Sequence, residues 1–196
     1  MNVAMIAGFA LTLSMTAPLP APGAAELLDP ECTPAEMPLE DRASPYDSAS
    51  VSLGEGELKL CYGRPSARGR TMIGGENVPF GEPWRLGANE PTTLHTTVPI
   101  QVAGIPLDAG SYTLYAIPGA EEWEIVVNSE VDRWGIPISP EVRAADVGSA
   151  TLPREQPDDY VETLSIEFGP ADGSSAPMFI EWEDFRVTVP VEAMGS

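Results

Sequence analysis

Apolar and polar residues alternate with a period of two along most of the chain. From Ala49 onward this alternation recurs in short runs; one example is Trp123, Ile125 and Val127 on one face, with Glu122, Glu124 and Asn128 on the other. It is typical of a β-strand that turns one face to a core and the other to water, whereas a helix repeats its apolar residues every three to four positions. The pattern therefore predicts an all-β domain.

The individual runs predict where the strands lie. Val51–Tyr62 reads as a hairpin with a turn at Gly54-Glu55-Gly56, and further strands are predicted near residues 92–98, 111–117, 123–127, 160–168, 178–183 and 185–191. No segment has the pattern of a ten-residue helix, and Pro140–Ala145 is expected to form one turn at most. About eight or nine short antiparallel strands predict a single β-sandwich of the jelly-roll or immunoglobulin-like type.

The N-terminal residues have a different composition. Residues 1–25 carry no charged side chain, and an apolar run is followed by the small residues Gly23-Ala24-Ala25. The run is short for a bilayer span, so it predicts a cleaved export signal rather than a membrane anchor. The mature protein is therefore expected in the periplasm or outside the cell, with no membrane insertion after signal cleavage.

The next segment, residues 26–44, is acidic and rich in proline, and it lacks an apolar period. It predicts a flexible tether that leads into a sandwich domain over residues 45–192. The chain has two cysteines, Cys32 in this tether and Cys61 on a predicted strand. In an oxidising compartment a Cys32–Cys61 disulfide would fasten the tether to the domain. Two unpaired thiols are the alternative, because a sequence alone does not establish pairing.

The net charge of −20, from 30 acidic and 10 basic residues, argues against nucleic-acid and membrane-surface partners. One loop reverses this sign, because the stretch from Arg64 to Gly75 contains three arginines and no acid. Guanidinium groups and glycine-loop amides bind carboxylate, sulfate or phosphate groups. The candidate ligand-binding residues are Arg64, Arg68, Arg70, Trp84, Arg85, Asn89 and Glu90. The alternative is that these arginines pair with surface acids and fix the loop to the domain.

The same loop carries a recognisable series of motifs. They are Tyr62-Gly63-Arg64-Pro65, Arg68-Gly69-Arg70, Val78-Pro79-Phe80-Gly81 and Trp84-Arg85-Leu86-Gly87-Ala88-Asn89-Glu90. Together they resemble the signature of the bacterial domain-of-unknown-function 2911 family, and the resemblance extends over about residues 43–191. It implies an exported all-β domain and does not imply a known activity.

Several kinds of chemistry lack the residues that they need. His95 is the only histidine and no Gly-x-Ser-x-Gly motif is present, which argues against a Ser-His-Asp triad. One histidine and two separated cysteines do not supply a zinc or copper site, and no nucleotide-binding glycine motif occurs, so neither a metal nor a cofactor is expected.

These observations favour a non-enzymatic binding module whose arginine and glycine loop engages a small anionic or polar ligand, or the acidic segment of a partner. A hydrolase that uses loop carboxylates, for example Glu90 beside Arg85, is the alternative from a different class. A structural component of the cell envelope without a ligand is a third possibility. The sequence does not identify a catalytic residue, a particular ligand or an oligomeric state.

Overall fold

The computed structural model describes Cys32 and residues 38–195. The predicted signal over residues 1–25 and much of the predicted tether therefore lie outside the described residues. The described chain contains eleven strands and one short helix: β1 (Tyr46–Leu53), β2 (Gly56–Gly63), β3 (Thr92–Thr96), β4 (Ile100–Val102), β5 (Ile105–Leu107), β6 (Gly110–Pro118), β7 (Glu122–Asn128), α1 (Pro140–Arg143), β8 (Asp146–Glu155), β9 (Val161–Phe168), β10 (Ser175–Glu183) and β11 (Phe185–Ala193).

The strands form one hydrogen-bonded path in the order β1-β2-β3-β6-β7-β8-β11-β10-β9, and every pairing is antiparallel. Strand β8 joins the two halves of this path. Its residues from Asp146 to Pro153 pair with β7, and its last two residues pair with Arg186 and Val187 of β11. The short strands β4 and β5 form a hairpin that adds to the far end of β11.

The two ends of the path approach each other, so the sheet is nearly closed into a barrel. The segment that follows β2 contacts the edge of β9, where the Ala67 amide donates to the Glu162 carbonyl at 2.8 Å. The Leu164 amide donates in turn to the Pro65 carbonyl at 2.9 Å. These contacts cover an edge strand that would otherwise present unpaired backbone groups.

Inward-facing apolar residues from most of the strands form one contiguous core. Several of the largest are fully buried, among them Leu60, Leu94, Leu114, Ile125, Ile166 and Ile180. Burying a side chain of this size contributes about 1.5–3 kcal/mol, so the alternating pattern of the sequence supplies most of the driving force for the fold.

The structure confirms an all-β antiparallel domain and changes two details of the prediction. The expected count of eight or nine strands is wrong, because β4, β5 and β8 have no clear signal in the sequence. The first two have three residues each, and β8 alternates between half-buried and exposed positions without a fully buried residue. The expected sandwich is not confirmed, since β8 connects both halves into one nearly closed path.

The predicted single turn near Pro140 is present as the four-residue helix α1, which Ser139 caps by accepting a hydrogen bond from the Val142 amide. Among residues 38–195 there is no helix with the length and apolar character needed to cross a membrane.

Candidate functional site

A cavity of about 380 Å³ lies at the end of the barrel where β2, β6 and β10 finish. Its polar lining comes from Ser44, Asn77, Glu82, Arg85 and Asn89. Most of the remaining lining is apolar, and includes Pro65, Met72, Val78, Trp84, Ile136 and Trp182. Apolar walls with a few polar groups are the usual composition of a small-molecule site.

The segment Trp84–Asn89 forms one wall, and its backbone is strained. Trp84 is tied to β6 by two hydrogen bonds with Ala116, at 2.7 and 2.9 Å. Beyond it, Leu86 has φ 55° and Asn89 has φ 66°, both in the left-handed region. Left-handed backbone is uncommon for a bulky residue such as leucine, and strain of this kind concentrates at binding and catalytic sites.

Close packing holds this strained segment in place. The Thr92 hydroxyl donates to the Leu86 carbonyl at 2.7 Å, and the Leu86 side chain is fully buried. A side chain at Gly63, the last residue of β2, would collide with the Ala88 carbonyl oxygen. Glycine at position 63 is therefore what allows the wall to lie directly against the sheet.

Three tryptophans support the floor of the cavity. Trp84 stacks on Trp182 with ring centroids 5.6 Å apart, and it meets Trp123 edge-on at 6.0 Å. The indole N–H of Trp84 donates to the Gly87 carbonyl at 3.3 Å. Since only 8% of Trp84 is exposed, its main contribution is to anchor the wall, and it offers a ligand a limited apolar surface.

Arg85 is the cation that lines the cavity. Its Nε is buried without a hydrogen-bond partner, and no partner for its guanidinium group occurs among the residues that the structure describes. Burial lowers the pKa of Arg85, and the nearby Glu90 carboxylate opposes this by raising it. A buried donor that lacks an acceptor costs free energy, so the Nε of Arg85 is an unsatisfied donor beside an open volume.

Glu90 is occupied by a residue that the sequence analysis did not select. The two terminal nitrogens of Arg42 donate to the two carboxylate oxygens of Glu90, at 2.9 and 2.8 Å. The exposed fractions of the two side chains are 1% for Arg42 and 3% for Glu90, so this is a buried, two-point ion pair. A carboxylate that is held in this way is not an evident general base.

Arg42 belongs to the predicted tether, and both it and Ser44 contact the barrel, although most of the neighbouring described residues of that segment are exposed. The Arg42 guanidinium lies 5.8 Å from the centre of the Tyr46 ring, and Ser44 lines the cavity. Burial raises the pKa of Tyr46 to about 12; the charge of Glu90 acts in the same direction, and that of Arg42 opposes it. Arg42 is the only basic residue in an acidic segment, which is the one feature of the sequence that could have drawn attention to it.

The first three arginines of the loop bind protein acceptors. Arg64 donates to the Leu164 carbonyl at 3.1 Å and to the Asp47 carboxylate at 2.8 Å. Arg68 donates to the Ala43 carbonyl at 2.6 Å. The Arg70 side chain folds back onto its own loop, where it donates to the carbonyls of residues 66 and 67. None of the three arginines is among the residues that line the cavity.

The sequence-selected residues therefore divide into two groups. Trp84, Arg85 and Asn89 meet at the cavity, and Glu90 lies behind them in its pair with Arg42. Arg64 and Arg68 connect the loop to β9 and to the N-terminal segment, Arg70 bonds within the loop, and ligand binding by all three stays a prediction.

A second buried carboxylate, also missed by the sequence analysis, fixes the opposite wall of the cavity. Glu183, at the end of β10, accepts hydrogen bonds from the backbone amides of Met72 and Ile73 at 3.0 and 2.7 Å. These bonds hold residues that are far apart in the chain. Glu183 stands between Glu181 and Asp184 in an acidic stretch, so the sequence gives no sign that it in particular makes such a contact.

Cys32 and Cys61 form a disulfide in the structure, with their Cα atoms 5.6 Å apart. Cys61 is fully buried on β2, and Cys32 lies in the predicted tether. The disulfide and the Arg42–Glu90 pair thus hold the same N-terminal segment against the barrel at two points.

His95 lies on β3, away from the cavity lining, with its Nδ1 2.7 Å from the Ser111 hydroxyl. Burial and, to a smaller extent, the charge of Lys59 lower the pKa of His95. Within the described part of the chain, no group of three or more histidine, cysteine, aspartate or glutamate side chains is placed to hold a metal ion.

Comparison with known proteins gives one match. A family model described as protein of unknown function (DUF2911) matches residues 44–191, which is most of the 196-residue chain. No curated protein matches the chain, and no solved structure matches it. The matched range includes the cavity wall from Trp84 to Asn89 and excludes Arg42. The chain therefore belongs to the DUF2911 family of proteins of unknown function.

Proposed function

We propose that the protein is an exported binding module whose cavity holds a small amphipathic carboxylate, with the anionic group of the ligand at Arg85. The observation that carries the proposal is the guanidinium group of Arg85, which lines a cavity of about 380 Å³ and has a buried Nε without a partner among the described residues. A ligand carboxylate would satisfy this donor through charge-assisted hydrogen bonds.

Local charge supports an anionic ligand in spite of the net charge of −20. Arg85 places one guanidinium group in the cavity lining, and the ion pair of Arg42 and Glu90 lies behind it. The ion pair of Arg42 and Glu90 is internally balanced, so the charge of Arg85 remains available. Glu82 also lines the cavity, but its side chain is exposed and lies in water, where its field is screened.

The shape and the walls of the cavity support the amphipathic character of the ligand. Its volume lies near the lower end of the range for small-molecule sites, roughly 300–1,000 Å³. The apolar surfaces of Met72, Val78 and Ile136 would contact the hydrocarbon part of a ligand. The side-chain amides of Asn77 and Asn89 offer further hydrogen bonds that orient its polar end.

The experiment is a titration of the full-length, disulfide-intact protein with benzoate, phenylacetate and hexanoate, each compared with its neutral amide. Tryptophan fluorescence and calorimetry are suitable readouts, because Trp84 and Trp182 line the cavity. We expect at least one carboxylate to bind and its amide to bind about tenfold more weakly or not at all, since the amide lacks the charge that pairs with Arg85.

Arg85→Gln should abolish the preference for the carboxylate over the amide. The matched control is Arg186→Gln, which removes the same charge from an ion pair with Glu181 on the surface of the barrel. Absence of binding by all three carboxylates up to about 10 mM, or equal binding to wild type and Arg85→Gln, would contradict the proposal.

A further inference from the structure

We infer that Arg42 is a positioning residue of this cavity: by occupying both carboxylate oxygens of Glu90, it keeps the guanidinium group of Arg85 free for an anionic ligand. The inference deepens the proposed function and rests on it for the identity of the ligand. The two contacts that carry it are the Arg42–Glu90 hydrogen bonds at 2.9 and 2.8 Å, in a pair whose side chains are almost completely buried.

The fold places Glu90 and Arg85 next to each other. Gly135 packs between them, because a side chain there would meet the Asn89 carbonyl oxygen, the Arg85 Cδ and the backbone of Glu90. The charge of Glu90 is also felt by Arg85, where it raises the pKa. Glu90 thus has two arginines within its reach, and the structure pairs it with the one that comes from the N-terminal segment.

Charge competition explains why this choice matters. A buried carboxylate without a partner is strongly unfavourable, so removal of Arg42 would leave Glu90 to recruit the nearest remaining cation. That cation is Arg85. Once paired with Glu90, the guanidinium group of Arg85 would be neutralised and turned away from the cavity, and an anionic ligand would have to displace an internal carboxylate before it could bind.

The source of Arg42 gives the inference a wider consequence. Arg42 lies outside residues 44–191, the range that matches the family model. It belongs to the N-terminal segment, which the disulfide between Cys32 and Cys61 also connects to the barrel. The N-terminal segment is therefore part of the binding site. It contributes Ser44 to the cavity lining, and its Arg42, by pairing with Glu90, keeps the guanidinium group of Arg85 free for a ligand.

The test uses the full chain with Arg42→Gln and with the double variant Arg42→Gln/Glu90→Gln. We expect Arg42→Gln to weaken benzoate binding by about tenfold or more, because benzoate must compete with Glu90 for Arg85. The double variant removes both charges of the pair, so benzoate affinity should return to within about threefold of wild type. A matched control pair, Arg186→Gln and Arg186→Gln/Glu181→Gln, breaks a surface ion pair in the same way and should leave binding unchanged.

A second readout does not depend on a ligand. Phenylglyoxal modifies accessible, unpaired guanidinium groups, and mass spectrometry reports the rate at each arginine. Arg85 should react in wild type, react about tenfold more slowly in Arg42→Gln, and recover in the double variant. If Arg42→Gln does not fold, Arg42→Lys replaces it, because lysine keeps the charge and loses the two-point contact, and Arg85 labelling should then be slowed by a smaller factor.

The outcomes separate the two proposals. If benzoate and the other carboxylates do not bind wild type, the proposed function fails, and the labelling of Arg85 still decides the role of Arg42. Unchanged labelling of Arg85 in a folded Arg42→Gln or Arg42→Lys variant would overturn the inference. Failure of the double variant to restore both labelling and binding would overturn it as well, since the effect would then come from lost structure and not from an unpaired Glu90.

Discussion

The long loop between β2 and β3 uses arginine in two opposite ways. In its first part, Arg64 donates to the Leu164 carbonyl of β9 and to Asp47, Arg68 donates to the Ala43 carbonyl of the N-terminal segment, and Arg70 donates to carbonyls within the loop itself. In its last part, Arg85 lines a cavity and its Nε has no acceptor among the described residues. The arginines of the first part have acceptors within the protein, whereas Arg85 faces a cavity without one among the residues described.

The comparison shows that these arginines differ in whether the protein supplies a hydrogen-bond acceptor for the guanidinium group. Both parts contain left-handed residues outside glycine, with φ 53° at Arg68 and φ 66° at Asn89, so backbone strain alone does not separate them. What separates them is a buried, unsatisfied donor beside an open volume. Four other buried donors also lack a hydrogen-bond partner among the described residues, namely the indole nitrogen of Trp123 and the Nε atoms of Arg133, Arg154 and Arg186, but none of these residues lines the cavity. The combination of an unsatisfied donor and an open volume is therefore what distinguishes Arg85.

Arg42→Ala is expected to have the largest effect on stability. It removes the two-point partner of the buried Glu90 carboxylate, a loss of up to about 3–5 kcal/mol, reduced by the part that Glu90 recovers when it pairs with Arg85. Arg64→Ala breaks an ion pair that is 33% exposed at Arg64 and should cost about 1 kcal/mol or less. Urea unfolding of the two variants measures both values, and equal losses would remove the distinction between the buried ion pair at Glu90 and the exposed ion pair at Arg64.

Removal of the disulfide should come next in size. In the chain-entropy model, a bridge between residues 29 positions apart contributes about 3–4 kcal/mol, and Cys32→Ala should lower the free energy of unfolding by that amount. Mass spectrometry of unreduced protein should first show a mass two hydrogens below the dithiol form. Complete alkylation of both cysteines in unreduced, denatured protein would contradict this.

A smaller effect is expected at alkaline pH from Tyr46, which packs beside the Arg42–Glu90 pair. Folding raises the pKa of Tyr46 from 10.0 to about 12, so the folded protein retains the phenol proton after the unfolded chain has lost it. The corresponding stability is complete below pH 10 and is lost as the pH rises through 12. Tyr46→Phe should therefore lose less stability than wild type over this range, and parallel pH profiles in urea unfolding would rule the effect out.

The smallest effect concerns the two left-handed residues. Arg68→Gly and Asn89→Gly relieve a conformation that costs non-glycine residues roughly 1–2 kcal/mol, so each should change the free energy of unfolding by less than about 1 kcal/mol once the lost side-chain contacts are included. Only Asn89→Gly should weaken carboxylate binding, because Asn89 lines the cavity. Equal binding losses in both variants would place Arg68 in the site as well.

Much of the fold can be predicted from the sequence, because the alternation of apolar and polar residues is a local signal. The strands from Phe185 to Ala193 and from Glu122 to Asn128 have regular apolar positions and were predicted close to their observed bounds. Strand β8 was missed because its side chains are half-buried or exposed throughout. Closure into a barrel depends on where β8 changes partner, and no local pattern encodes that.

The candidate site could be predicted only in part, for the same reason. The motif from Trp84 to Glu90 is compact in the sequence, and it contributes Trp84, Arg85 and Asn89 to the cavity. Arg42 and Glu90 are 48 positions apart in the sequence, and Glu183 and Ile73 are 110 positions apart. Neither contact can be predicted from the residues around one of its members. Which arginine is free and which is paired follows from those distant contacts.

The most direct test of the central claim observes the arginine side chains themselves. Protein labelled isotopically at the arginine nitrogens is titrated with benzoate and then with benzamide, and the Nε–H signals are followed by NMR. We expect the Arg85 signal to shift with benzoate and remain in place with benzamide, while the signals of Arg64, Arg68 and Arg70 stay unchanged. An Arg85 signal that does not respond to benzoate, while any of the other three does, would contradict the account.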